Sequence, residues 1–206
     1  AIYDVGSEFD PDEFAKTLAD AGVDYITVFA RCNLGFAYYP TKIGTVHPGM
    51  KVPDMLGPMV ESCHKRDIRV AAYFNGGLDH EHALRHRDWC KVDAEGRVYR
   101  FHETDSNWFR LMCLNTPYRK HLNDTIVEVL DAYPVDGIFV DCLGTQPCFG
   151  TECVDGMLAK GLNPKDASHA HQFARGLIED YRRETIELIH KKVGNIYIVF
   201  NGMNYI

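Results

Sequence analysis

Short apolar runs alternate with amphipathic, helix-like stretches along most of this chain. Tyr25 to Ala30 and Arg69 to Phe74 are rich in β-branched and aromatic residues and read as strands. Gly137-Ile138-Phe139-Val140 is a continuous apolar run that closes on Asp141. Such runs mark parallel strands covered on both faces. Ile2 to Val5 and Ile196 to Phe200 complete the set of five predicted strands, in which the Asp141 strand is the fourth. Helices are predicted between them. Asp10 caps the first and Pro11 opens it, and it stops near Ala21 and Gly22. A second covers about Asp54 to Arg66, and a third runs from Pro117 to about Ala132. In a long helix from about Ala167 to Lys192, Phe173, Leu177, Tyr181, Ile186 and Ile189 recur near a helical period. A short helix is expected near His82 to Trp89, inside a polar stretch that runs to Asn107. The Gly-, Pro- and Cys-containing stretch after Asp141 reads as irregular.

Alternating strands and helices mean a parallel sheet with right-handed crossovers. An open doubly wound sheet and part of a (β/α)8 TIM barrel both satisfy that pattern. The loops after the strands are long and hold most of the polar and aromatic residues, which favours the barrel, whose chemistry sits in those loops. No Gly-x-Gly-x-x-Gly follows the first strand, and no phosphate-binding Gly-x-x-x-x-Gly-Lys run occurs. A barrel takes about 250 residues. Residues 1–206 are therefore expected to be the N-terminal part of a (β/α)8 catalytic barrel, with about the first five strands, within a longer protein.

Composition narrows the function classes. At 46% hydrophobic and 25% charged the chain is ordinary globular material. A net charge of −7 argues against a nucleic-acid partner, which needs a basic face. No apolar run approaches the ~20 residues that cross a membrane. The seven cysteines are odd in number and mostly embedded in apolar segments, which fits reduced thiols. The setting is expected to be cytoplasmic, with secretion as the alternative.

The expected strand ends collect Arg31, Cys32, Asn33, Asn75, Asp141 and Asn201 on one rim, with Tyr38, Tyr39, Tyr73, Trp89 and Trp108 on nearby loops. Charges and amides hold hydroxyls, and aromatic faces hold the C–H side of a sugar ring, so the set suits a polyhydroxylated ligand. Asp141 is the expected catalytic residue. Arg31, Asn33, His47, Tyr73, Asn75 and Asn201 form the expected substrate-binding set. Each has a plainer reading beside it: Asp141 as a turn cap, Arg31 in a structural ion pair with Asp141 or Asp4, the tryptophans as packing. Asp79, His80, Glu81, His82 and His86 lack a His-Glu-x-x-His spacing, and Cys142, Cys148 and Cys153 are spaced more loosely than a zinc knuckle. Neither group is assigned a metal, and no cofactor is called for.

Several segments together carry a family likeness: Gly6-Ser7-Glu8-Phe9-Asp10-Pro11, Ile26-Thr27-Val28-Phe29-Ala30-Arg31-Cys32, Tyr38-Tyr39-Pro40-Thr41-Lys42 with His47-Pro48, Cys113-Leu114-Asn115-Thr116-Pro117-Tyr118, Val135 to Asp141, and Phe200-Asn201-Gly202. In order and spacing the chain resembles a family of hypothetical glycoside hydrolases. These are distant relatives of α-L-fucosidases and α-amylases that often carry a β-galactosidase-type trimerisation domain downstream. The resemblance implies a carbohydrate substrate, a homo-oligomer, fucosidase- or galactosidase-like hydrolysis, and Asp141 as nucleophile. In fucosidase-like enzymes the nucleophile stands in a Trp-Phe-Asp-Gly context; here the run is Phe139-Val140-Asp141-Cys142. Where such relatives have Cys-His-His-Gly after a strand, this chain has Cys32-Asn33-Leu34-Gly35. A two-carboxylate mechanism needs a second carboxyl group, and the acid/base candidates are Glu8, Asp79, Glu103 and Asp105. Two other readings stand beside hydrolysis by Asp141: a carbohydrate-binding pseudoenzyme, and a metal-dependent barrel hydrolase built on Asp79 to His86.

Overall fold

In the computed structural model, which describes residues 3–99 and 110–202, helices and strands alternate. The order is α1 (Pro11–Asp20), β1 (Tyr25–Arg31), β2 (Phe36–Ala37), β3 (Thr45–Val46), α2 (Leu56–His64), β4 (Arg69–Asn75), α3 (His80–Arg85), a 3-10 turn (Arg87–Trp89), α4 (Tyr118–Ala132), β5 (Gly137–Asp141), α5 (Thr151–Ala159), α6 (Ala167–Val193) and β6 (Tyr197–Phe200). They build one six-stranded sheet in the order β3-β2-β1-β4-β5-β6. The longer strands β1, β4, β5 and β6 pair in parallel, as continuous apolar runs with helical crossovers require.

Two expectations are corrected. Ile2 to Val5 does not form the first strand: Val5 makes a lone parallel bridge to Met50, and Ile2 lies outside the described residues. The strand ending in Asp141 is thus the third of the four long parallel strands, not the fourth. The stretch after Asp141 is not wholly irregular either, because Thr151 to Ala159 forms α5. Its first turn has Gly150 as cap, with no side chain to signal a start, and Gly156 lowers its helix propensity. Gly156 earns its place in packing: a Cβ there would come within 2.6 Å of the Phe173 ring on α6.

Period-two alternation sorts each strand. Val28, Ala30, Val70, Ala72, Phe74, Ile138 and Val140 turn to the helices and join Leu122, Ile126, Val129, Ile178, Tyr181 and Ile189 in the main core. The opposite face carries aromatic rings. Phe29 meets Tyr73 edge-on at 4.6 Å, and Tyr73 stacks with Phe139 at 5.8 Å. This face stays open: Phe29 is 53% exposed. At the foot of β5, Asp136 accepts hydrogen bonds from the Val70 backbone N–H at 2.7 Å and pairs with His64 Nε2 at 2.8 Å, tying β4 and α2 to its start. With that end clasped, the C-terminal ends of β4, β5 and β6 come side by side, in register at Asn75 and Asp141.

Candidate active site

Asp141 ends β5 at this rim, half-buried, with every carboxylate oxygen occupied. Tyr73 Oη donates to Oδ2 at 2.7 Å. The Cys142 backbone N–H and Asn201 Nδ2 donate to Oδ1 at 2.7 and 2.8 Å. Burial alone would push this carboxyl up, but the bonds from Tyr73, Cys142 and Asn201 favour the charged form and hold it below the usual carboxylate range. Burial first, and then the bond to Asp141, push the Tyr73 phenol up, so it stays a donor. Asp141 is therefore an ionised, oriented carboxylate at neutral pH.

The backbone around it is closely fitted. Cys142 has φ +59°, a left-handed conformation that costs a non-glycine residue about 1–2 kcal/mol. Two glycines make room for it. A Cβ on Gly77 would lie 1.8 Å from the Cys142 carbonyl oxygen, and one on Gly202 would lie 2.9 Å from Cys142 Cα. Backbone strain of this kind collects where a side chain must be aimed.

Beneath the rim lies a buried polar network. Between Phe29 and Arg31 the β1–β4 register slips, and this bulge re-aims Arg31. Its guanidinium bonds to the Asn75 carbonyl and pairs with Asp79. Asp79 caps α3 through the His82 backbone N–H at 2.8 Å and lies 2.8 Å from His82 Nδ1. Burial pushes Asp79 up, yet Arg31 and His82 outweigh it and keep the carboxyl ionised. Asn75 accepts from the Leu78 backbone N–H and donates to Tyr73 Oη at 3.2 Å. The chain of contacts therefore runs from Asp79 through Arg31, Asn75 and Tyr73 to Asp141.

This arrangement divides the expected site residues. Asp141, Tyr73 and Asn201 converge. Arg31 is 2% exposed and bound to Asp79, beneath the rim and not on it. The expected partner of Arg31, Asp141 or Asp4, is replaced by Asp79. Asp79 is fully buried with both oxygens bonded, to Arg31 and to the start of α3. Asn75 is buried with its amide committed to Leu78, Tyr73 and Cys142. His47 is buried too; its Nδ1 accepts from the Gly49 N–H at 3.1 Å and its ring stacks on Tyr38. It shapes the loop before α2. Asn33 is half-buried in the turn after β1, and Glu8 is exposed ahead of α1. Among the described residues no hydrogen bond or ion pair joins Glu8 to Asp141. Glu103, Asp105 and Trp108 lie outside the described residues.

The histidines after β4 are engaged with one another and with Trp89. His82, His86 and Trp89 stack face to face, with His86 and Trp89 ring centres 3.9 Å apart, and Asp79 turns inward to Arg31. Among the described residues, the one group of three or more His, Cys, Asp or Glu donors close enough to share an ion is Cys113, Cys148 and Cys153. Cys142, grouped with Cys148 and Cys153 on spacing, instead contacts Asn75 Nδ2 at 3.2 Å beside Asp141. All seven cysteines are free thiols. Among the described residues, no helix is long and apolar enough to cross a membrane.

A parallel sheet with helical crossovers and an ionised carboxylate at a strand's C-terminal end is the arrangement of α/β-barrel hydrolases. The chain belongs to the family described as hypothetical glycosyl hydrolase 6, whose model matches residues 10–142, Asp141 included. It is similar to the α-L-fucosidase isoenzyme 2 of Paenibacillus thiaminolyticus, at 30% identity and TM-score 0.88 over 97% of this chain. An α-galactosidase of Thermus thermophilus shares the fold at 15% identity, TM-score 0.58 and full coverage of this chain, and a hypothetical protein of Ruminiclostridium thermocellum shares it at 12% identity and TM-score 0.63, covering 97% of this chain and 96% of that one. The chain spans 30% of the length of the fucosidase and 37% of the galactosidase. The parallel sheet described here matches part of those chains, as the N-terminal part of a barrel would. No curated protein matches the chain significantly.

Proposed function

We propose that this chain is the nucleophile-bearing part of the catalytic barrel of a retaining glycoside hydrolase, that its substrate is an α-L-fucoside, and that Asp141 attacks the anomeric carbon. The observation that carries this reading is the carboxylate of Asp141. It is ionised, it is held by three donors, and it stands at the C-terminal end of a central strand. A nucleophile in this mechanism must be charged and fixed, whereas the acid/base must be protonated before attack. The bonds that lower Asp141 fit it for the first task and unfit it for the second. The fucoside preference rests on the likeness to the Paenibacillus fucosidase, since the galactosidases share the fold alone.

The residues take separate parts. Tyr73 Oη and Asn201 Nδ2 fix the two oxygens of Asp141 and stabilise its charge. The Phe29, Tyr73 and Phe139 rings form an apolar floor below it, able to meet the C–H face of a sugar. On attack the carboxylate oxygen bonds to the anomeric carbon as the bond to the leaving oxygen breaks, and that oxygen leaves as an alcohol with the proton of the acid/base. Water, giving a proton back to the same acid/base, then attacks the anomeric carbon, breaks its bond to Asp141 and releases the sugar. That second group has to lie about 5–5.5 Å from Asp141 in a retaining enzyme. Glu8, Glu103 and Asp105 remain its candidates from this chain.

A panel of aryl glycosides tests the proposal on the intact protein. Hydrolysis of the α-L-fucoside above all others, lowered at least about a thousandfold in Asp141→Asn, is the expected result. Turnover unchanged in that variant would remove Asp141 as nucleophile. Calorimetric binding of fucose with no hydrolysis by the wild-type protein would favour the carbohydrate-binding reading instead.

A further inference from the structure

Away from the carboxylate, three thiols from three segments meet in a small apolar cluster. Cys113 precedes the start of α4, Cys148 lies in the loop after β5, and Cys153 sits in the first turn of α5. They pack with Met157, Ala170 and Phe173. All three are buried, Cys113 and Cys153 at 1% exposed. Their sulfurs lie within 4.8 Å of one another, and the Cys113–Cys153 pair is 3.4 Å apart. A disulfide needs about 2.05 Å, so none is formed. Three thiolates around one tetrahedral ion at Zn–S of about 2.3 Å stand about 3.8 Å apart, close to the 3.4 Å of the Cys113–Cys153 pair and inside the 4.8 Å that holds all three.

We infer that Cys113, Cys148 and Cys153 form a three-thiolate site for a thiophilic divalent ion, with zinc the natural occupant. Charge supplies an independent argument. Lys91 lies in the same cavity, lined also by Cys113 and Cys148, and is 7% exposed. Its ammonium donates to two neutral carbonyls, Gly144 O at 2.8 Å and Gln146 O at 3.1 Å, and none of the described ion pairs includes it. Among the described residues it has no carboxylate partner, and a buried cation without an anion is costly. Three thiolates around a divalent ion carry one net negative charge, which Lys91 balances. The Gly150 backbone N–H points at Cys148 Sγ at 3.5 Å, the kind of outer contact that orients a metal-bound thiolate. Binding displaces three thiol protons.

The role assigned is structural. Gly76, Gly77, Cys142, Leu143 and Gly144 line the same cavity. An ion there would pin α5 and the α4 entry to the loop that leaves Asp141. This does not depend on which reaction Asp141 performs.

Elemental analysis of the intact protein, prepared under reducing conditions without chelator, tests the site. About one zinc per chain is expected, retained in Cys142→Ser and lost in Cys148→Ser. Cobalt added to metal-stripped wild-type protein, a measurement that needs no variant, should give the near-ultraviolet band of sulfur-to-cobalt charge transfer and visible bands of tetrahedral geometry. A wild-type protein that carries no metal and shows no thiolate–cobalt band would overturn the inference. So would a Cys113–Cys153 disulfide found by mass spectrometry in the native protein.

Discussion

At the scale of single residues, the account turns on how many groups serve Asp141 without touching a ligand. Tyr73 is the clearest case. Its hydroxyl bonds to Asp141 at 2.7 Å and favours the charged form. A hydrogen bond to a charged group is worth about 1.5–3 kcal/mol, so Tyr73→Phe should lower kcat/KM by about ten- to a hundredfold. The sign of the accompanying pH effect follows from the bond. Losing a donor to the ionised form raises the Asp141 pKa, so the acid limb of the rate profile should move to higher pH. A profile that stays in place would show that Tyr73 does not hold the carboxylate. Strand-end Asp141 was legible from its apolar run, and Asn201 from its place after the last strand. The inward turn of Arg31 was not, because it follows from a one-residue bulge that alternation cannot reveal. Once Arg31 turns inward, Asp79 must follow it to balance the buried charge, and Asn75 is consumed in bracing the rim. Three residues expected at the substrate or in acid/base work thus lie buried beneath the rim, bonded to one another.

Elements show the same division between what periodicity encodes and what packing adds. β1, β4, β5 and β6 and helices α1, α2, α4 and α6 were readable because a continuous apolar run or a 3.6-residue stripe marks each. The two-residue strands β2 and β3 and the helix α5 were not. The first two are too short to show a pattern, and α5 has a capless start and an internal glycine. Helix α4 carries a testable consequence of its neighbours. His121 packs against His82 with ring centres 4.1 Å apart and lies near Trp89. Burial lowers its pKa to about 4, helped by the charges of His82 and Arg31 and opposed by Asp79 and Asp124. The unfolded chain binds this proton near pH 6.5, so between the two values the unfolded state holds more protons and stability rises with pH. Thermal midpoints should therefore fall as pH drops from about 6.5 towards 4, before the depressed carboxylates Asp79 and Asp141 titrate at lower pH. His121→Phe should flatten that window by a few degrees. An identical slope in wild type and variant would assign the acid sensitivity elsewhere.

For the molecule as a whole, the sheet is an arc with two unlike faces. The helical face is sealed by the main core, and the aromatic face, with Phe29 and Tyr197 more than half exposed, is the one a barrel turns inward. That asymmetry explains why continuous apolar strands carry tyrosines and phenylalanines at alternate positions, and why the functional rim forms at one end only. Asp136 clasps β4 and α2 at the foot of β5, while Gly77, Gly202 and the strained Cys142 shape its top, so one strand carries both the anchor and the proposed nucleophile. The central claim is that this reactive group attacks sugar, and chemical trapping addresses it most directly. The intact protein, treated with a 2-deoxy-2-fluoro-α-L-fucosyl donor bearing a good leaving group, should be inactivated and gain one glycosyl mass. Peptide mass spectrometry should place that mass on Asp141. An adduct on another carboxylate would contradict the account.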